Sequence, residues 1–312
     1  MVRLDRISWP GPDAYGATDI MTIPTIRPVF MKAGLALVGM LAAGAACAAI
    51  AGHSEPGQIG FQEPVTDLAR ELQFFHNWIL MPIITVITLF VLGLLVYVAV
   101  RFNEKTNPVA SKTTHHVGLE VAWTVIPVMI LVVIAIPSFR LLTHQLVIPQ
   151  ADVTIKVTGK QWYWSYDYPK DQGGPFGFDS NLKPDAELKA ENGDIHLLSV
   201  DNEAVVPVGK TVRFQITAAD VIHSFIIQSF GIRMDAVPGR LNETWFKADR
   251  EGMYYGQCSK LCGKDHAYMP IAVRVVSEEK YAAWLIDAKK KYALNGHSPV
   301  AVAGGTDATQ AE

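Results

Sequence analysis

The segment from Gln257 to Pro270 reads Gln-Cys-Ser-Lys-Leu-Cys-Gly-Lys-Asp-His-Ala-Tyr-Met-Pro. It places two thiols, an imidazole and a thioether within the twelve residues from Cys258 to Met269. The chain has only three cysteines, and the third, Cys47, lies far upstream. Three plainer chemistries compete for such a block. A disulfide would use Cys258 and Cys262 in an oxidising compartment, but it would leave His266 and Met269 unexplained. Zinc takes four N, S or O donors, often from C-x2-C pairs, and has little use for a thioether. Met269 alone could be core packing. Thiolate, imidazole and thioether together suit copper. A further imidazole, His223, stands where the apolar run His223-Ser224-Phe225 begins; by itself it reads as an ordinary surface or core histidine. A single blue-copper ion takes one thiolate. Two bridging thiolates can instead hold two copper ions close enough to share one electron.

These donors need a frame. From Asp152 onward the chain falls into short alternating runs, among them Val153–Thr158, Thr211–Ile216, Ser224–Gln228, Thr244–Lys247 and Ile271–Val276. Gly, Pro, Asn and Asp cluster between them. Alternation with turn punctuation predicts an antiparallel β-sandwich or barrel over residues 151–276. Residues 277–293 then read as a short C-terminal helix, with Glu278 and Glu279 early and Lys289, Lys290 and Lys291 late, as the helix dipole favours. The Ala/Gly/Thr-rich stretch 294–312 reads as a disordered tail.

Upstream the chemistry is of a different kind. Half of the 312 residues are hydrophobic, 18% are charged and the net charge is −3. That balance excludes a nucleic-acid binder driven by bulk charge and points to membrane segments. Two runs, 79–100 and 121–139, carry no charge. The first would be about 33 Å long as a helix, enough for a bilayer core of about 30 Å. Pro127 and Pro137 interrupt the second, which membrane helices tolerate. A transmembrane hairpin over 79–142 is therefore expected. The loop between the runs carries Arg101, Lys105 and Lys112, so it should stay cytoplasmic, with both ends of the mature chain in the periplasm. Residues 1–51 read as an uncertain N-terminal extension and a signal peptide. Arg27 and Lys32 flank its apolar stretch, and Ala49-Ile50-Ala51 offers a cleavage site; a third membrane helix is the alternative. Residues 52–78 would form a periplasmic N-terminal segment.

With the donors and the frame in view, the chain resembles subunit II of bacterial cytochrome c oxidase. Gly256–Pro270 is similar to the dinuclear copper-A loop of that family. Four further segments match in order: Leu119–Pro127, at the start of the second membrane helix; the aromatic block Lys160–Tyr168; Asp220–Phe225; and Met234–Asn242. The resemblance implies a helical hairpin followed by a cupredoxin-like domain in a multi-pass protein of the bacterial inner membrane. It implies two copper ions bridged by Cys258 and Cys262 and capped by His223 and His266. Met269 and the backbone carbonyl of Lys260 would be weak ligands.

The family also implies that Trp162 accepts electrons from cytochrome c, although aromatics at strand spacing are often plain core. Asp167, Asp201 and Asp220 would form an acidic docking face, acting mainly on association rate; scattered carboxylates are otherwise solvated surface. Glu120 would stand at the mouth of a proton channel through subunit I, where the residues alone suggest only a helix-end charge. Subunits I and III would be partners, and oxygen reduction would occur in subunit I, coupled to proton translocation. One departure stands out. The family usually has Glu at the position of Lys260, whose carboxylate helps bind Mg²⁺ or Mn²⁺ at the subunit I border. An ammonium cannot ligate a hard cation, so that site is in doubt. A quinol oxidase subunit would lack these thiol and imidazole ligands. A copper-carrying protein would have no reason for the Trp162 block or Glu120. Nitrous oxide reductase would need many more histidines and no hairpin.

Overall fold

A run of side chains that cannot be hydrated and a run that alternates fold differently, and the division falls near residue 150. The structure is a computed structural model and describes residues 52–109, 111–170, 174–189, 191 and 193–292. The expected signal peptide and the expected tail lie outside these residues.

Helix α1 spans Asp67–Arg101 and α2 spans Val117–Leu146. Both expected spans fall inside these longer helices, because each apolar run continues into polar turns. Thr66 caps α1 by accepting from the Ala69 N–H at 3.0 Å. Within α1 a π-helical stretch, Phe75–Leu80, precedes Pro82; proline lacks the N–H that the α-helical ladder needs. His116 caps α2 through its ring, and Pro127 and Pro137 lie inside that helix. No residue of the apolar windows of either helix is buried.

The second region has ten strands: β1 Val153–Lys160, β2 Tyr163–Tyr168, β3 Phe176–Ser180, β4 Ala204–Pro207, β5 Val212–Ala218, β6 His223–Ile227, β7 Ile232–Ala236, β8 Asn242–Phe246, β9 Gly252–Cys258 and β10 Pro270–Val276. They form two five-stranded sheets, ordered β3-β2-β1-β5-β8 and β4-β10-β9-β6-β7. The sandwich is mixed rather than antiparallel throughout, since β1 pairs with β5 and β4 with β10 in parallel. Alternation along one strand says nothing about the direction of its neighbour. The core holds Trp164, Tyr166, Phe214, Phe225 and Phe246, all fully buried. Helix α3, Glu278–Tyr292, closes one flank, with Trp284 against Tyr168 and Phe176 at ring separations of 5.2 and 5.8 Å.

Hairpin and sandwich are joined by the first turns of α1. Leu68 and Ala69 are buried, and the Thr66 hydroxyl donates to the Phe230 carbonyl at 2.7 Å. Arg70 pairs with Asp249 at 2.7 Å. From α2, the His144 carbonyl accepts from the Trp245 indole at 3.3 Å.

Candidate metal centre

Strand register brings the donors together. Strands β9 and β10 are antiparallel with Pro270 opposite Gln257, so Cys258 and Met269 flank the two ends of one loop. Strand β6 lies on the other side of β9 with Phe225 opposite Cys258. The Ser259 N–H donates to the Ser224 carbonyl at 2.9 Å, which carries that register to His223 beside Lys260. His223 points inward as the first of three alternate buried residues, with Phe225 and Ile227.

Cys258, Cys262 and Met269 are buried, and His223 is fully so. The two Sγ atoms lie 3.9 Å apart, well beyond the S–S bond of about 2.05 Å, and both thiols are free. Cys258 Sγ is 3.9 Å from His223 Nδ1 and 3.3 Å from the Lys260 carbonyl oxygen. Cys262 Sγ is 3.5 Å from His266 Nδ1 and 3.5 Å from Met269 Sδ. Each thiol thus has its own imidazole and one further weak donor. Among the described residues, the donor atoms of His223, Cys258 and Cys262 all lie within 4.8 Å of one another. This set of soft sulfurs and imidazoles, bare of carboxylates, fits copper.

The two thiols sit in opposed electrostatic settings. Burial pushes the Cys258 thiol up, but hydrogen bonding from His223 and from the main chain at Lys260 and Ser224 outweighs it, and the thiol ends below its ordinary range. Burial and the neighbouring Cys258 push Cys262 up.

Two glycines permit the packing around the centre. A Cβ on Gly159 would sit 3.0 Å from both the His223 and the Trp164 rings. Gly263 has φ +128°, and a Cβ there would meet the Trp162 ring at 3.0 Å. Trp162 is half-buried on the turn between β1 and β2, and its indole N–H donates to the Cys262 carbonyl at 3.3 Å. Trp164, by contrast, is wholly buried and holds the Met269 carbonyl at 3.3 Å.

The three carboxylates expected to form a docking face are not equivalent. Asp220 accepts from His223 Nε2 at 2.9 Å and from the Gln161 and Val221 N–H groups at 2.7 and 2.6 Å. Its carboxylate is tied to the His223 ring and the adjoining main chain, and would orient that imidazole as a ligand. Burial raises its pKa, but those bonds lower it overall. Asp201 accepts from Asn181 and is exposed. Asp167 lies opposite Gly177, toward the end of β2 away from Trp162. Glu120 is in the first turn of α2, on the membrane hairpin. The Lys260 ammonium is half-exposed and 3.5 Å from Asp235 Oδ2. With a cation already in that place, the residue does not fit a hard divalent metal. Gln161 and Lys264 carry no signal in the sequence that marks them as part of the site. Gln161 sits within the aromatic block, and only proximity shows that the Lys264 ammonium lies 5.5 Å from the Trp162 ring centre.

Comparison with known proteins gives a consistent picture. The family described as cytochrome c oxidase subunit II, periplasmic domain, matches residues 153–276, and its transmembrane domain matches residues 54–141. Cytochrome c oxidase subunit 2 of Cereibacter sphaeroides is 47% identical over 285 residues, covering 85% of this chain and 94% of that protein. The protein of the same name from Zea mays is 43% identical over 241 residues, covering 76% and 92%. A crystal structure of the periplasmic domain of subunit II of cytochrome oxidase from Bradyrhizobium japonicum is 57% identical, covers 47% of this chain and 99% of its own, and has a TM-score of 0.43.

Proposed function

This chain belongs to the cytochrome c oxidase subunit II family, and from that premise we propose that it is the electron-accepting subunit of the oxidase, built around a dinuclear copper-A centre. The observation that carries the reading is the pair of unbridged thiols 3.9 Å apart, each with its own imidazole. Cys258, Cys262, His223 and His266 would hold the metals, with Met269 and the Lys260 carbonyl as the weaker donors. When bound, the copper pair stores one electron shared over both ions, with little structural change.

The chain's own residues do the rest. Trp162 is the entry point for the electron from cytochrome c at the half-exposed turn, and its N–H bond to the Cys262 carbonyl links that turn to the thiol. The buried aromatic floor excludes water from the donors. Asp220 fixes the His223 ring so that Nδ1 faces the sulfurs. Asp201 and Asp167 serve docking by charge. The basic loop between α1 and α2 stays in the cytoplasm, which puts the metal centre in the periplasm and Glu120 at the cytoplasmic side as a proton-channel mouth. Subunits I and III cover the hairpin, and the electron passes to haem in subunit I. No divalent cation is held at Lys260.

Metal analysis and EPR of the purified complex test the reading. Two coppers per chain and one unpaired electron spread over two copper nuclei are expected. A single-copper pattern or bound zinc would overturn it. Growth on manganese should give no stoichiometric Mn²⁺ signal at the Lys260 site.

A further inference from the structure

Gln161 immediately precedes Trp162, yet it touches both halves of the donor set. Its backbone N–H donates to Asp220 Oδ2 at 2.7 Å, and Asp220 Oδ1 in turn holds His223 Nε2 at 2.9 Å. Its side-chain Nε2 donates to the Cys262 carbonyl at 2.8 Å. That carbonyl is the same one that accepts from the Trp162 indole at 3.3 Å. One oxygen therefore has two donors from consecutive residues, and the side-chain amide is the shorter and stronger of the two.

Beyond this bond the indole packs against the hydrophobic core and lies over Gly263. The Lys264 ammonium over its ring belongs to a side chain that is 77% exposed, so that contact is weak. The indole contact is at the long end of the N–H···O range. A small rotation of the turn would open it, and through-space gaps weaken electronic coupling far more steeply than covalent bonds do.

We infer that Gln161 is the positioning residue for electron acceptance: its amide pins the turn to the Cys262 carbonyl and thereby holds the Trp162 N–H on that oxygen. From there the covalent run C–Cα–Cβ–Sγ leads to the thiol. The inference rests on the reading of Trp162 as the electron entry point. Gln161 lies at the surface, so its side chain contributes little to the core.

Gln161→Met keeps length and bulk but removes the donor. In the assembled oxidase it should slow transfer from bound, reduced cytochrome c by about 10-fold or more, on the order of what sub-ångström to ångström misplacement costs. KM for cytochrome c and the near-infrared and EPR spectra of the metal centre should not change. A second readout needs no copper. In the metal-free full chain carrying 15N-indole labels, the Trp162 N–H resonance should move upfield and exchange faster with water. Gln161→Glu, equally long and lacking the donor, should reproduce both effects.

An unchanged rate with an unchanged resonance would overturn the inference. So would loss of the metal spectrum in both variants, because Gln161 would then be a scaffold of the donors rather than of Trp162. Trp162→Ala separates the two layers of the argument. If it slows transfer while Gln161→Met does not, only the positioning role fails. If it leaves transfer at the parent rate, the Trp162 reading itself is wrong.

Discussion

At the loop end of the sandwich the candidate donors His223, Cys262 and Met269 are each bonded to another part of the same chain, whereas along the hairpin the apolar windows bury none of their residues. The first region is over-determined. Strand register fixes His223 and Cys258, glycines at 159 and 263 admit the rings, and Asp220, Gln161 and Trp164 bond to a ligand or to its backbone. The second is an unfinished surface, which in a bilayer needs lipid or neighbouring helices. The contrast teaches where partners matter. The metal centre should form in this chain without them, whereas any function of Glu120 should exist only once subunit I is beside it.

The strongest way to break that contrast is Cys262→Ser. It removes one of the two sulfurs proposed to bridge the metals and leaves Met269 and His266 without their shared neighbour. Complete loss of the shared-electron EPR signal is expected, with copper falling to at most one ion per chain. Retention of two coppers would mean that the loop end is less closed than its contacts imply.

Glu120→Ala probes the other region. Turnover of the assembled oxidase should fall severalfold while reduction of the metal centre by cytochrome c keeps its parent rate, because α2 separates the two sites by most of a bilayer. Stopped-flow reduction and steady-state oxygen uptake measure the two quantities side by side. Slowed reduction would couple regions that the structure keeps apart.

Gly159→Ala tests how tightly the frame grips its ligand. The added Cβ would lie 3.0 Å from the His223 and Trp164 rings. Overpacking of this kind costs about 1–3 kcal/mol. The expected outcome is a lowered denaturation midpoint and altered copper hyperfine splitting with both coppers retained. Unchanged spectra would show that the ring has room to move.

Much of this was legible in the sequence, and the limits have physical causes. The donors could be read because soft ligands clustered in one loop are rare, and the spans because hydropathy is additive along a helix. The polar beginning of α1, Asp67–Phe74, was not legible, since its placement depends on Leu68 and Ala69 packing beneath the Gln228–Phe230 turn. The parallel pairing of β1 with β5 was hidden for the same reason, being a relation between segments some sixty positions apart. Asp220 was read as a docking acid because its charge shows in the sequence and its three hydrogen bonds do not.

The smallest expected effect concerns Lys264. Its ammonium lies 5.5 Å from the centre of the Trp162 ring and 3.5 Å from Asp265, and its side chain is 77% exposed. A basic cytochrome that docks at Trp162 would meet this cation beside the ring, while Asp167 lies toward the far end of β2. Lys264→Glu reverses the sign at that point. Rim charges act mainly on association rate and are screened by salt, so the association rate should rise severalfold at low ionic strength and converge with the parent at high salt. Losing the cation–π contact costs only about 0.5–1 kcal/mol at an exposed site, and Gln161 still holds the turn. The rate within the bound complex should therefore stay near that of the parent. A slower association at low salt would mean that the donor presents an acidic face here, and that the charge pattern around Trp162 selects a partner opposite to the one proposed.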